Sequence, residues 1–283
     1  MSLEAGHIDE SLVRIDHWSA PTAGAGWCRV DGSRAVHGAA DHVVPLASIT
    51  KPLVAYAVLI AVEEGSIGLG DMAQLPGVTV RHLLAHAGGI DPDRRELVAE
   101  PGTRRIYSNA GFEMLGDLLT AATGFTVAEY LHEAVMDPLR LTSSELRGSP
   151  AHGAVSTVND LLTFAAELLA PSLLAPETLT DATTPVFAEL GGILPGFGRQ
   201  DPNPWGLGFE IRGEKQPHWT GTRNSPQTFG HFGRAGTMLW VDPIAGVATV
   251  ALTDREFGPW AIEAWPSLSD AVLRAADERS PGS

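Results

Sequence analysis

The sequence predicts an α+β fold, an α/β sandwich. Its antiparallel β-sheet is flanked by N- and C-terminal helices and carries an inserted all-helical subdomain. Three observations predict it. Strand-like alternating runs occur near both ends of the 283 residues. The middle is a succession of helices with caps and glycine stops. Residues 53–62 are almost all apolar, the pattern of a buried central helix.

Taken in order, Leu12, Ile15 and Trp18 follow Ile8 at helical spacing and predict a short N-terminal amphipathic helix. Segments 24–31 and 34–39 read as two strands joined by the turn Asp31-Gly32-Ser33. A third short strand is expected at 43–46. The apolar helix runs from Ser48 to Gly65, with Pro52 in its first turn and Gly65 as C-cap. Thr79, Thr126 and Thr157 cap further helices ending near Ala87, Met136 and Leu169, and Asn109 opens another that Gly124 stops. Residues 171–204 are rich in Pro and Gly and read mostly as loop. Strands are expected at 206–212, 228–232, 237–241 and 246–252, and a closing helix at 259–276. The expected organisation is one catalytic domain over 1–283. Its sheet part covers about 1–70 and 200–283, and its helical part about 71–199.

Composition narrows the function. The formal charge of −15 repels nucleic acid and anionic membrane surfaces, so neither is an expected partner. The single cysteine, Cys28, cannot form an internal disulfide and reads as a buried, inert thiol. No secretory signal and no run long enough to span a bilayer is present, and a cytoplasmic location is expected. Lysine occurs only twice, at Lys51 and Lys215, among 19 basic residues.

Three constellations could carry chemistry. Ser48-Ile49-Thr50-Lys51 opens the central helix, and i and i+3 share a face there. The helix start offers N–H groups to an oxyanion beside Ser48, and a desolvated Lys51 can take a proton. Tyr107-Ser108-Asn109 adds a phenol and an amide. His231-Phe232-Gly233-Arg234 enters a strand. There Gly233 allows close backbone approach, the Arg234 N–H is a second oxyanion donor, and His231 donates a hydrogen bond or adds charge near the tyrosine. The bland readings are a capped helix with a snorkelling lysine, a second cap beside a core tyrosine, and a β-bulge with a surface histidine.

Together, in this order, the three resemble S-x-x-K, Y-x-N and the H-x-G variant of K-T-G. These belong to the superfamily of serine β-lactamases, penicillin-binding DD-peptidases and related class C-like esterases. Residues 81–90, 101–109 and 154–161 look like the same family, and the resemblance runs from about 25 to 275. It implies a β-lactamase/DD-peptidase-like fold and no cofactor. It implies Ser48 as the acylated nucleophile, with Lys51 and Tyr107 sharing the base role and Tyr107 the base for deacylation. Asn109 then orients Lys51 and substrate, His231 stands where lysine is usual, and the N–H groups of Ser48 and Arg234 form the oxyanion hole. Phe232 departs from the usual hydroxyl residue, which argues against β-lactam turnover.

The expected activity is therefore serine hydrolysis of small carboxylic esters. The alternatives are a class C-like β-lactamase or D-amino-acid peptidase, and a non-catalytic binding protein on the same fold. Substrates in these readings are a small-molecule ester, a β-lactam or a D-peptide. His82 and His86 stand four apart on a helix but lack the H-E-x-x-H glutamate, so no metal is expected. Arg94, Arg95, Arg104 and Arg105 read as solvated faces, with anionic substrate steering by Arg104 and Arg105 as the sharper alternative. Trp205, Phe209, Trp219 and Phe232 are candidates for an apolar acyl pocket.

Overall fold

The computed structural model describes residues 9–278. Six strands form one antiparallel sheet in the order β2-β1-β11-β10-β9-β8. They are β1 (Ala23–Arg29), β2 (Arg34–Gly38), β8 (Glu210–Ile211), β9 (Phe229–Gly233), β10 (Thr237–Asp242) and β11 (Val247–Thr253). Both faces are covered, so β10 and β11 are buried along their whole length. Leu239 and Val241 face one core, and Met238 and Trp240 the other. A strand covered on both sides needs no polar alternation.

One core holds α1 (Thr50–Glu63), whose residues from Thr50 to Ala61 are all buried. Midway along it the Tyr56 hydroxyl donates 2.6 Å to Glu167 of α5 (Val158–Leu169). Helix α5 lies flat on β1, where a side chain in place of Gly26 would collide with Leu162. Thus α5, within the stretch expected to be the helical insertion, packs on the sheet. The other core receives Trp265, Leu268 and Val272 of α7 (Pro259–Glu278). Cys28 is buried and its thiol is pushed up to about 12 by desolvation, with Arg34 opposing.

The intervening chain carries α2 (Val80–Leu84), α3 (Asn109–Thr123) and α4 (Val127–Leu131), capped by Thr79, Ser108 and Thr126. Strands β3 (Val44–Pro45), β4 (Glu145–Leu146) and β5 (Ala154–Ser156) form a separate small sheet. The N-terminal helix expected from Ile8 to Trp18 is a single 3-10 turn, Val13–His17, and Ile8 lies outside the described residues. The stretch 171–204 is more ordered than its composition predicts. It holds α6 (Pro176–Ala182) and the hairpin of β6 (Gly192–Leu194) and β7 (Gly198–Gln200). Strand β8 is shorter than expected because the chain turns at 206–209, where the Gly206 N–H bonds the Phe209 carbonyl at 2.9 Å. Among the described residues no helix is long and apolar enough to cross a membrane.

Candidate active site

Ser48 sits on a 3-10 turn, Ala47–Ile49, between β3 and α1. Ala47 precedes it with φ of 48°, a left-handed conformation that a non-glycine residue adopts only when its surroundings enforce it. The enforcement is visible. Leu46 bonds the Ala154 carbonyl at 2.9 Å, and its own carbonyl accepts from the Thr237 hydroxyl at 2.8 Å. Gly233 closes against the same point, where any side chain would collide with the Leu46 carbonyl. The β9–β10 hairpin therefore fixes the serine turn, and this requires the glycine.

Three residues after Ser48, in the first turn of α1, Lys51 is fully buried. Its Nζ donates to Asn109 Oδ1 and to the Ala151 carbonyl, each at 2.9 Å. The amide is oriented from behind: Asn109 Nδ2 donates 3.0 Å to Asp93, which turns Oδ1 toward the lysine. Among the described residues no carboxylate bonds Nζ directly. Desolvation pulls Lys51 down to about 7, opposed by the more distant Glu113 and Asp93. Nζ also lies 4.6 Å from the centroid of the Tyr107 ring.

The Tyr107 hydroxyl donates 2.8 Å to Ser48 Oγ. Burial pushes this phenol far above its ordinary value, with the Ser48 bond opposing, so it stays protonated at neutral pH. Ser108 caps α3 and also bonds the Asp91 carbonyl at 2.7 Å, which anchors the segment. Beneath Tyr107 lies His86, its ring centroid 4.6 Å away. The Ser108 N–H donates to His86 Nδ1 at 3.2 Å, so the imidazole proton is on Nε2. Nε2 faces no oxygen or nitrogen partner and packs edge-on to Trp205. Burial first, and Lys51 next, keep this histidine neutral. His82 is equally local: its Nδ1 completes the capping box with Thr79.

His231 is buried too, and it corrects one expectation. Its Nδ1 lies 2.7 Å from the Phe232 carbonyl, an acceptor only, so Nδ1 carries the proton. Desolvation and then Lys51 lower it to about 3. At neutral pH it therefore adds no charge beside Tyr107, and it is not a surface residue.

Ser48, Tyr107, Asn109, His231 and Arg234 line one cavity of about 380 Å³. Lys51 lies just beneath it. Gly233 backs onto the serine turn rather than the cavity, and exposed Arg234 opens the turn into β10. The remaining wall is largely apolar: Leu194, Pro195, Trp205, Phe232 and Phe257. Of the expected pocket aromatics, Trp205 and Phe232 are present. Phe209 packs in the core against Phe229, and Trp219 donates 2.8 Å to Glu210. Glu210 also lines the cavity. It is buried with Lys215 and His218 on it, and their charges outweigh burial and hold it well below the carboxylate range. The second lysine thus has a structural partner that its sequence context did not reveal.

Two of the four arginines are solvated ion pairs as expected, Arg94 with Asp91 and Arg95 with Asp117. Arg104 is exposed. Arg105 is not: only 3% exposed, it gives its guanidinium to the carbonyls of Ala85, Val186, Phe187 and Asn203.

The sequence profile of the Beta-lactamase family matches residues 16–272. The chain is similar to a crystallised β-lactamase from Mycobacterium bovis, at 49% identity and a TM-score of 0.93, covering 94% of this chain and 99% of that one. A variant of simvastatin synthase from Aspergillus terreus shares the fold at 18% identity and a TM-score of 0.76, over 93% of each chain. A protein of Escherichia coli O157:H7, provisionally named D-alanyl-D-alanine carboxypeptidase, is 25% identical over 210 residues, 59% of this chain and 48% of its own. The chain spans less than half the length of the curated relatives it matches. With the profile covering nearly the whole chain, and an antiparallel sheet and helices arranged as in these structures, the chain belongs to the β-lactamase family.

Proposed function

We propose that this chain hydrolyses small carboxylic esters through an acyl-enzyme on Ser48. The observation that carries the reading is the Tyr107–Ser48 hydrogen bond of 2.8 Å above a buried lysine poised near 7. Near neutral pH an appreciable share of Lys51 is unprotonated, and its lone pair can take the serine proton. Tyr107, kept protonated by burial, acts as a relay and donor rather than as a standing phenolate base. The Ser48 oxygen attacks the ester carbonyl, its proton passes to Lys51, and the oxyanion is received by the N–H groups of Ser48 and Arg234. The C–O bond then breaks, and the alkoxide leaves with a proton returned from Lys51 through Tyr107. Water repeats the sequence: its proton goes to the same amine, its oxygen to the acyl carbon, and Ser48 regains its hydrogen. Asn109 holds the lysine, and Asp93 holds Asn109.

The ester preference follows from the pocket. Its wall beside Ser48 is aromatic and aliphatic, His231 is neutral, and the one exposed cation on it is Arg234 at the rim. The second reading, a β-lactamase, is favoured by the 49% identity to the Mycobacterium bovis protein of that name. Wild type and Ser48→Ala are assayed side by side on p-nitrophenyl butyrate and a chromogenic cephalosporin. Ester turnover that vanishes in the variant supports the proposal. Turnover retained by Ser48→Ala sinks it, and cephalosporin turnover exceeding ester turnover installs the second reading.

A further inference from the structure

A groove of about 700 Å³ adjoins the serine cavity and shares Tyr107 and Pro195 with it. The hairpin β6–β7 walls it on one side, through Ile193 and Arg199, and residues 103–107 on the other. Its floor and rim are cationic in a chain of net charge −15. Arg105 lies at the floor, buried, bonded to four carbonyls and to no carboxylate. Its positive charge is dispersed over neutral dipoles but not cancelled, and burial lowers it only to about 10. Arg104 stands exposed at the rim and has no acidic partner among the described residues. Arg199 is paired at 3.3 Å with Asp201, so these two contribute little net charge. A bridge between Arg105 and Gly192, with the Arg105 N–H bonded 2.9 Å to the Gly191 carbonyl, holds the two walls together.

Lining of this kind suits a ligand whose body runs from Ser48 past the Tyr107 ring and whose far end is acidic. We infer that the groove is a second binding subsite, and that the substrate is elongated with a carboxylate at its remote end seated against Arg104 above the Arg105 floor. The inference rests on Ser48 being the reacting residue, since that sets where the near end lies. The acid end gains from two cations that have no acidic partner among the described residues, whereas a neutral end gains only contact with Ile193 and Pro195.

The test separates this from the hydrolase reading. In Ser48→Ala protein, which on the proposed mechanism turns nothing over, the monoamides of glutarate, suberate and sebacate are titrated calorimetrically against their neutral diamides. At least one acid is expected to bind roughly three- to fivefold tighter than its diamide at low salt, with the margin shrinking at about 0.5 M salt. Arg104→Glu is expected to remove or reverse the margin. Arg274→Glu, an equal charge change on exposed α7 surface, is expected to keep it. Equal binding of acid and diamide, no measurable binding of any acid, or a margin that survives Arg104→Glu overturns the subsite. Wild type is assayed in parallel on p-nitrophenyl esters ending in carboxylate or carboxamide. Inactivity on both, with the binding margin intact, would overturn the ester reading and leave the subsite standing.

Discussion

Replacing Lys51 by Met tests the central electrostatic claim, and the structure sets its size. The folded lysine sits near 7 against an ordinary 10.5. Below about pH 7 it is charged in both folded and unfolded chains, and folding bears the full cost of burying that charge. Between 7 and 10.5 the folded chain has released a proton that the unfolded chain still holds, so stability climbs with pH. From pH 6 to pH 9 the climb from this residue is about 3 kcal/mol, two pH units beyond the folded value at about 1.4 kcal/mol each. Lys51→Met lacks that term. It also strips a donor from Asn109 Oδ1 and from the Ala151 carbonyl, at roughly 1–3 kcal/mol each, but that loss is the same at both pH values. The absolute change at one pH is therefore uninformative, and the difference between two isolates the titration. At about 2 °C per kcal/mol for a chain of this size, the melting-temperature offset of Lys51→Met from wild type should be about 6 °C more favourable to the variant at pH 6 than at pH 9. Thermal melts by circular dichroism read this directly, and ester turnover should fall by about a thousandfold or more at either pH. Offsets equal at both pH values would mean that Lys51 does not titrate near neutrality, and the neutral-amine mechanism would lose its basis.

Other outcomes follow from the same geometry. For wild type, kcat/KM on a neutral ester should rise with pH through about 7 as Lys51 loses its proton, and that limb should persist in His231→Asn because His231 titrates near 3. A limb that disappears in the variant would transfer the titration to the histidine. Tyr107→Phe keeps the ring over Lys51 and removes the donor to Ser48, so kcat should drop by about 10²- to 10⁴-fold with little change in KM, read by steady-state kinetics. Lys215→Met leaves the buried Glu210 carboxylate with His218 and Trp219 alone and should cost about 3–5 kcal/mol in denaturant titration. Adding Glu210→Gln should recover part of that loss, and no recovery would show that the ion pair is not its source.

The placement of the candidate site residues was largely legible because they lie on or beside regular elements. A helix with an apolar middle, expected from Ser48 and observed from Thr50, fixes where Lys51 points, and a helix starting at Asn109 fixes what precedes it. Burial was not legible to the same degree. Arg104 and Arg105 look alike as neighbours in a polar stretch, yet the bridge to Gly192 gives this segment strand geometry, with alternate residues on opposite sides. Arg104 is left outside and Arg105 is driven inward to the carbonyls. His231 failed as a charge for a similar reason. Its own strand is covered on both faces, and no local pattern announces that Trp205 and Tyr107 close over it. The hairpin β6–β7 was missed because each strand is only three residues long, too short for alternation to emerge, and Pro195-Gly196 between them signals a turn in either case.

That division has a physical basis. On the proposed mechanism, proton transfer at Ser48 tolerates little displacement, and the groups assigned to it hang from α1, from the cap of α3 and from the β9–β10 turn, each held by core packing or backbone hydrogen bonds. On the same proposal, selection of the acyl and leaving groups would rest instead on 192–205, where a short hairpin and Trp205 supply walls of the two cavities. Arg105 joins the two systems. It lies two residues before Tyr107 and donates to the carbonyls of Val186, Phe187 and Asn203, which ties the Tyr107 segment to the 186–203 stretch. Substituting the hairpin should therefore change which ester is taken, through KM, while substituting Arg105 should disturb kcat and KM together. Steady-state constants for Ile193→Asp and Arg105→Lys would show it. An Arg105→Lys enzyme altered in KM alone would mean that the two systems are uncoupled.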